Sequence, residues 1–237
     1  MVGRYSGPMS RKSATERRAD ALTAARRLIV EQGIEAASVR NVAAAAGMSA
    51  GSLRHIFPSH EDLFVALLED AETTVGSRIG ELIDRSRGGE DTDDVPADGS
   101  GCTPADRRRA LALELLLQVE PVGGGDAGGR PTPAGGGTRS DLLAQLAVLT
   151  ANPGNTRLAE VRRRTGKALD GLCLHVVREL LADTSADPAA VDVQATALEL
   201  RLILDGTALR VLENPDFGEE QVRKFLAHTL DRLIPPS

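Results

Sequence analysis

The chain has 237 residues and a formal net charge of −6; 41% of its residues are hydrophobic, but only 2% are aromatic. This apolar fraction can build a globular core, whereas no run approaches the ~20 consecutive apolar residues that a membrane-spanning helix needs. The first residues lack the apolar segment of a signal peptide, and two cysteines, Cys102 and Cys173, fit a reducing compartment better than a disulfide scaffold. We therefore expect a cytoplasmic protein that has no metal site, no cofactor and no membrane partner.

The helical elements follow one another along the whole chain. Hydrophobic residues recur at spacings of three and four, and the alternation typical of strands is nearly absent. The predicted fold class is therefore all-α. Helices are expected at 13–32, 39–46, 49–57, 59–87, 104–119, 140–150, 156–183, 188–213 and 218–234.

Three segments are expected to lie outside the packed helices. Residues 1–12 form a flexible basic arm that contains Arg11 and Lys12. Residues 88–103 are rich in glycine and aspartate, and residues 121–138 are rich in glycine and proline, so both are predicted to be disordered loops.

The charges are unevenly distributed between the N-terminal helices and the rest. Residues 1–60 carry nine basic and four acidic side chains, a net charge of +5, which leaves −11 for the remainder. A basic head on an acidic body indicates that only the head meets an anionic partner.

The two short helices in this head, joined at Gly47, have the order of a helix-turn-helix motif. The second helix of such a motif enters a DNA major groove that is ~12 Å wide, so its first residues must be small or able to hydrogen-bond. These first residues are Ser49, Ala50, Gly51 and Ser52. The polar and basic groups that could flank them on the phosphates are Arg40, Arg54, His55 and His60.

The stretch that runs from Ser38-Val39-Arg40 through Gly47-Met48-Ser49-Ala50-Gly51 to Phe57-Pro58-Ser59 resembles the N-terminal domain of TetR-family (tetracycline-repressor-like) transcriptional regulators. The resemblance implies that three positions lie near base edges: Arg40, Ala50 and Gly51. It implies phosphate contacts at five others: Ser38, Ser52, Arg54, His55 and His60. From the residues themselves, sequence readout should rest on Arg40, Ser49 and Ser52, because an arginine can fork onto guanine and a hydroxyl can hydrogen-bond.

Two positions depart from the family pattern. Family members often have tyrosine at Arg54 and lysine at His60. Arg54 can contact phosphate more strongly because its charge is permanent. His60 is mostly neutral near pH 7 and is expected to hydrogen-bond rather than to form an ion pair. The phosphate contacts are thus expected to be redistributed and not lost.

The resemblance implies a ligand-responsive repressor that binds a palindromic operator of double-stranded DNA as a homodimer and releases it when a small molecule occupies the C-terminal domain. It divides the chain into a DNA-binding domain at 13–58 and a ligand-binding and dimerisation domain at 59–237. The helices at 188–213 and 218–234 are expected to form the dimer interface, because residues 190–212 are apolar on more than one face.

A ligand cavity is expected among the helices of the body, since the resemblance implies one. The lining expected there consists of Leu111, Leu115, Gln118, Leu146, Leu172, His175, Val176, Leu198, Arg201 and Leu202, with Asp205 as an alternative polar group to Arg201 or Gln118. A quaternary ammonium ion is usually held by several aromatic faces, and the body has few aromatic residues. An aliphatic, acyl-like or otherwise uncharged ligand is therefore favoured over a quaternary ammonium ion.

Three alternatives remain. The first is a helical enzyme, which is disfavoured because the four histidines and two cysteines are scattered and form no catalytic constellation. The second is a helical interaction module whose head no longer binds DNA. The third is an activator-type regulator without ligand-driven release.

Overall fold

The computed structural model describes residues 13–88, 103–122, 139–182, 191–214 and 216–235. The predicted basic arm 1–12, nearly all of the predicted loops 88–103 and 121–138, and the first residues of the helix expected at 188–213 lie outside the described residues.

Nine α-helices and one short 3₁₀ turn make up the described ranges, which contain no β-strand. The all-α prediction is therefore confirmed. The 3₁₀ turn is Ile34–Ala36, and the helices are α1 (Ala14–Gln32), α2 (Val39–Ala45), α3 (Ala50–Ile56), α4 (His60–Gly88), α5 (Pro104–Leu117), α6 (Arg139–Ala151), α7 (Thr156–Leu181), α8 (Val193–Glu213) and α9 (Glu219–Leu233). In the described ranges, no helix is both long enough and apolar enough to cross a membrane.

Side-chain caps fix the starts of several helices. Ser13 and Glu16 form a reciprocal capping box at the start of α1, and Thr103 and Asp106 do the same for α5. The start of α8 differs from the prediction of 188, because residues 191 and 192 are not helical. The Oδ1 atom of Asp192 accepts hydrogen bonds from the backbone N–H groups of Gln194 and Ala195, each at 3.0 Å, so α8 begins at Val193.

Two hydrophobic cores divide the helices between them. The first core joins α1, α2, α3 and the N-terminal part of α4 to α6 and to the start of α7, through residues such as Leu53, Leu63 and Val148. The second core joins α5 and the C-terminal part of α7 to α8 and α9, through residues such as Leu116 and Leu200. Helix α6 therefore packs on the N-terminal helices, although the predicted domain boundary at residue 59 assigns it to the body.

Ion pairs connect α4 to α7 along the outside of the first core. Arg157 Nη1 lies 2.7 Å from Asp62 Oδ1, and Arg164 Nη2 lies 2.5 Å from Glu72 Oε2. Hydrogen bonds from Ser59 and Arg157 hold the pKa of the Asp62 carboxyl below its ordinary value. These pairs hold the long helix α4 against the body below the head.

Candidate nucleic-acid interface and body cavity

Helices α2 and α3 form a tight helix-turn-helix unit. Gly47 has a φ of 66°, a left-handed conformation that favours glycine, and it reverses the chain between the two helices. Leu53 and Phe57 are buried beneath α3, so the inner face of this helix is fixed by the first core. The opposite face is left open to solvent.

The tip of α3 is formed by small residues, as predicted. Ala50 and Gly51 are exposed, and a Cβ atom built on Gly51 would meet only Ser49 Oγ, at 3.8 Å. Ser49 Oγ accepts the Ser52 N–H at 3.0 Å and donates to Ser52 Oγ at 3.2 Å. The Ser49 hydroxyl is thus occupied as the helix cap, while the Ser52 hydroxyl keeps its own proton for an outside acceptor.

The predicted flanking residues surround this tip. Arg40, Arg54 and His55 are exposed. Ser38 is half-buried, and its Oγ caps α2 by accepting the Asn41 N–H at 3.3 Å. Guanidinium groups are therefore available beside a small-residue helix tip, which is the arrangement that major-groove binding requires.

His60 has a backbone partner within the protein. Its Nε2 lies 2.8 Å from the Ala37 carbonyl oxygen, and its ring packs against Phe64 with 4.1 Å between centroids. In the neutral ring this bond places the proton on Nε2, which leaves Nδ1 as an acceptor with nothing to donate to a phosphate oxygen. The predicted phosphate contact of His60 therefore needs the imidazolium form, and the neutral ring fixes the start of α4 instead.

Arg26 connects the head to the body through a contact that the sequence alone does not predict. Its Nε lies 2.6 Å from Asp141 Oδ1 of α6, and its Nη2 lies 3.1 Å from Asp70 Oδ2 of α4. The two partners are distant in the sequence, so no spacing rule could have paired them. This arginine of α1 is therefore bound to the body and is not free for DNA.

A cavity of about 450 Å³ lies between α4, α6, α7, α8 and residues 119–121 that follow α5. None of the described residues that line it is aromatic, and several are small, among them Gly76 in α4, Gly166 and Ala168 in α7, and Ala208 in α8. A Cβ atom built on Gly76 or Gly166 would meet no atom within 4 Å. The cavity is therefore aliphatic and has open space along two of its walls.

Four carboxylates and two guanidinium groups also belong to this lining: Glu72, Glu120, Asp141, Asp205, Arg162 and Arg201. Three of the carboxylates have ion-pair partners: Glu72 with Arg164, Asp141 with Arg26, and Asp205 with Arg201 at 3.0 Å. Arg201 also faces Asp170 at 3.6 Å. Burial raises the pKa of Asp205, although Arg201 lowers it in part.

Glu120 is the remaining carboxylate of the lining. Its side chain is 1% exposed, and both carboxylate oxygens are buried without a hydrogen-bond partner among the residues that the structure describes. Burial, with a smaller contribution from the negative charge of Asp205, raises the pKa of Glu120 to about 8. No local sequence pattern marks this residue, because it follows the end of α5 at a position that the sequence suggests is the edge of a loop.

The cavity shares Leu172 and Arg201 with the predicted lining, together with the alternative polar group Asp205. Leu111, Leu115 and Val176 belong to the second core, Leu146 is partly buried, and the Gln118 amide bonds back to the Glu114 carbonyl of its own helix. His175 is partly exposed beside Glu179 and does not line the cavity, in contrast to the prediction. Leu198 and Leu202 lie on the exposed face of α8, because apolar periodicity marks a helix face without telling a cavity from an outer surface.

The exposed face of α8 carries an apolar stripe. Leu202 is 63% exposed, and Leu198 and Leu209, one turn before it and two turns after it, are also more than half exposed. Phe225 of α9 adds an exposed aromatic ring. Exposed apolar side chains of this size on one helix face are typical of a protein–protein interface.

Neither a reactive thiol nor a metal-binding group of side chains is found among the described residues. Burial raises the pKa of the Cys173 thiol to about 12. Across the ranges that the structure describes, no three or more His, Cys, Asp or Glu side chains are grouped so as to hold a metal ion.

Two family models match the chain in separate parts. A model of bacterial regulatory proteins of the tetR family matches residues 21–67, which covers most of α1 through the first part of α4. A model of the C-terminal domain of BetI-type transcriptional repressors matches residues 132–235. Together the two models cover the head and most of the body.

Individual relatives agree with these matches. The chain is 37% identical over 67 residues to the HTH-type transcriptional regulator PksA of Bacillus subtilis (strain 168). This match spans 28% of this chain and only 33% of the length of PksA. A transcriptional regulator from Rhodococcus sp. Rha1 shares the fold with a TM-score of 0.60 at 22% identity, covering 93% of this chain and 96% of its own. A regulator from Saccharomonospora viridis, solved in complex with choline, has a TM-score of 0.63 at 19% identity, with 92% of this chain and 96% of its own covered.

Proposed function

Because the chain belongs to the TetR family of transcriptional regulators and is a DNA-binding regulator, not an enzyme, we propose that it acts in the cytoplasm as a ligand-responsive repressor. It binds a palindromic operator as a homodimer and releases the operator when a small molecule occupies the cavity. The observation that carries this proposal is that α6 both lines the cavity and packs on α1 of the head.

DNA binding rests on the tip of α3 and its flanks. Arg40 contacts a base edge, Ala50 and Gly51 allow close approach to the groove, and Ser52 donates its free hydroxyl proton. Arg54, His55 and Ser38 contact phosphates. This assignment is supported by the exposure of the two arginines and by the absence of any described atom that would crowd the open side of Gly51.

Dimerisation rests on the apolar stripe of α8 together with Phe225 of α9. Two copies that pair these helices about a two-fold axis form a four-helix interface. Such a dimer can place two recognition helices about one DNA turn, ~34 Å, apart, and the operator is then a palindrome. Pairing at this surface would bury three leucine side chains that are each more than half exposed and a phenylalanine side chain that is 43% exposed. This gain favours the surface over other faces of the body.

Release from DNA follows from the position of the cavity. Helix α4 runs from the first core into the cavity wall, and α6 contributes to both. A ligand can shift the dimer toward a conformation that does not bind DNA only if it binds that conformation more tightly. Displacing α4 or α6 by such a ligand changes the spacing of the two heads.

The ligand is not expected to be a quaternary ammonium ion. The Saccharomonospora viridis regulator holds choline, which is such an ion. Quaternary ammonium ions are recognised by aromatic faces, and no described residue in the lining of this cavity is aromatic. The aliphatic wall suits a ligand with a hydrocarbon body.

The proposal is tested by titrating duplex DNA from the region upstream of the chain's own gene against the purified full-length protein at two salt concentrations. Specific binding that weakens steeply with salt is expected, because basic side chains displace counterions from the phosphates. If no duplex is bound, the chain is an interaction module. If the operator is bound but no cavity ligand ever weakens binding, the chain is an activator-type regulator without ligand-driven release.

A further inference from the structure

Glu120 is an ionisable side chain that the fold buries without a hydrogen-bond partner among the described residues. It belongs to the cavity lining, it is 1% exposed, and both of its oxygens are without a hydrogen-bond partner. A buried polar group without a partner costs free energy, and buried acids are nearly always hydrogen-bonded or paired. The unmet oxygens of Glu120 therefore call for a partner other than the described residues.

The charges around the cavity show which sign that partner has. Asp205 and Arg201 come from α8, Glu72 from α4, Asp141 from α6 and Arg162 from α7. Asp205 and Asp170 pair with the two terminal nitrogens of Arg201, whose buried Nε has no hydrogen-bond partner among the described residues. The charge that contributes to the raised pKa of Glu120 is that of Asp205, which is also negative. Neither Arg162 nor Arg201 hydrogen-bonds to Glu120, so no described cation is paired with this carboxyl group.

We propose that the cavity binds an organic ammonium ion that carries N–H groups on an aliphatic body, and that Glu120 is the carboxylate that accepts its hydrogen bonds. The inference rests on the proposed function insofar as it takes this cavity to be the ligand site. The proposed ammonium ligand differs from the uncharged ligand that the composition favours, because the sequence does not predict that Glu120 is buried in the cavity wall.

The N–H groups distinguish this ligand from choline. An ammonium ion with N–H donors can satisfy the oxygens of Glu120 directly and gains a charge-assisted hydrogen bond. A quaternary ion has no such donor and relies on aromatic faces, which the described lining lacks. The aliphatic residues of α4 and α7 are left to receive the hydrocarbon part.

Binding should also move a proton. Because burial raises the pKa of Glu120 to about 8, the free carboxyl is mostly protonated at neutral pH. An ammonium ion stabilises the carboxylate form, so its binding releases up to one proton per cavity. A neutral ligand releases none.

The test is calorimetric titration of the full-length protein near pH 7 with three probes that share an eight-carbon chain: n-octylammonium, n-octanol and octyltrimethylammonium. Each titration is run in two buffers with different ionisation enthalpies to count released protons. We expect n-octylammonium to bind at least ~10-fold more tightly than either other probe, with proton release. Glu120→Gln should remove that advantage and the proton release, and leave n-octanol binding unchanged.

A matched control is Glu160→Gln, which removes the same charge from the exposed face of α7 and should change none of these values. If Glu120→Gln does not fold, the wild-type protein still decides the question. Its affinity for n-octylammonium should rise as pH increases toward about 8, where free Glu120 ionises, while its affinity for n-octanol stays flat.

Equal affinity for the three probes, tightest binding of the quaternary ion, or a Glu120→Gln variant that keeps the preference would overturn the inference. Operator release is measured separately by adding each probe to the DNA complex. Tight, Glu120-dependent binding of n-octylammonium without operator release contradicts the proposed function and leaves the inference intact. Release by n-octanol alone contradicts the inference and leaves the proposed function intact.

Discussion

The Nε atom of Arg26 lies 2.6 Å from Oδ1 of Asp141, so one residue of the cavity wall is bonded directly to the DNA-binding head. Both side chains are less than a fifth exposed, which limits solvent screening of the pair. Arg26 also reaches Asp70 of α4 at 3.1 Å. Any ligand that moves Asp141 therefore changes a contact of α1. Because Arg26 also binds Asp70, the same movement affects the contact between α1 and α4.

This pair should contribute measurably to stability. Partly buried, hydrogen-bonded pairs in one network show coupling energies of ~0.5–3 kcal/mol. We expect a double-mutant cycle of Arg26→Gln and Asp141→Asn, measured by urea unfolding at one protein concentration, to give ~1–2 kcal/mol of coupling. The exposed pair Lys224–Glu220 serves as the control and should give under ~0.5 kcal/mol. Equal coupling in the two pairs would show that the Arg26 contact has no special role.

Arg40 and Arg54 should differ in the kind of DNA binding that they support. Arg40→Ala is expected to cost ~1–3 kcal/mol at one base pair and to relax specificity there, as for a base-edge contact. Arg54→Ala should weaken binding to all sequences alike and lower the salt slope by ~1, as for a phosphate contact. Fluorescence anisotropy with single-substitution operators at several salt concentrations separates the two. An Arg40→Ala variant that weakens all sequences alike would reassign Arg40 to the phosphates.

Gly51 should matter for DNA and not for folding. A side chain at this exposed position meets only Ser49 Oγ at ordinary contact distance, so Gly51→Leu should fold and gain up to ~1 kcal/mol from helix propensity. The same leucine would occupy the space needed by the groove, and operator affinity should fall at least ~100-fold. Ala105→Leu, at an exposed position in the first turn of α5, is the control and should bind DNA normally. Normal operator binding by Gly51→Leu would show that the N-terminal end of α3 does not enter the major groove.

Leu202 should determine the oligomeric state. Placing a carboxylate at the centre of the apolar stripe, in Leu202→Glu, buries an unpaired charge if two copies meet there. We expect a monomer by sedimentation at micromolar concentration, and loss of most of the affinity for a palindromic operator. Leu143→Glu makes the same change at an exposed leucine of α6 and should leave the dimer intact. A Leu202→Glu protein that remains dimeric would place the interface elsewhere.

Glu120 should make stability fall as pH rises. Its pKa of about 8 in the folded chain lies above the ordinary value of 4.5, so the folded state binds the proton more tightly than the unfolded state. The contribution of Glu120 to the free energy of unfolding is therefore fully present below about pH 4.5 and is lost as pH rises to about 8. The loss is on the order of 5 kcal/mol, at ~1.4 kcal/mol per pKa unit. Urea unfolding of wild type and Glu120→Gln, from pH 5 to pH 8.5 at one protein concentration, should show a difference that grows with pH. A constant difference would mean that Glu120 titrates normally.

The head was predictable from the sequence because local signals determine it. Ser38 and Ser49 cap helices within three residues of themselves, Gly47 supplies the turn, and the pattern of Leu53 and Phe57 fixes the inner face. Each of these signals acts over less than two helical turns. The predicted bounds of α2 and α3 accordingly differ from the observed ones by at most one residue at each end.

The cavity was not predictable in the same way because non-local packing creates it. Leu172 and Leu202 are both apolar residues of amphipathic helices, yet one lines the cavity and the other is exposed to solvent. Glu120 and Arg26 have roles only because chain segments far apart in sequence surround them. A single sequence contains the hydrophobic period of each helix but not the rotation of one helix relative to the next.

The small residues of the cavity wall make its volume adjustable. Gly76 of α4 and Gly166 of α7 have no neighbour within 4 Å of an added Cβ atom, and Ala168 of α7 and Ala208 of α8 line the same cavity. Enlarging these side chains one at a time would shorten the longest hydrocarbon that fits without altering a charge. A graded set of such variants, each tuned to a different chain length, could serve as a family of orthogonal biosensors that report through one shared operator.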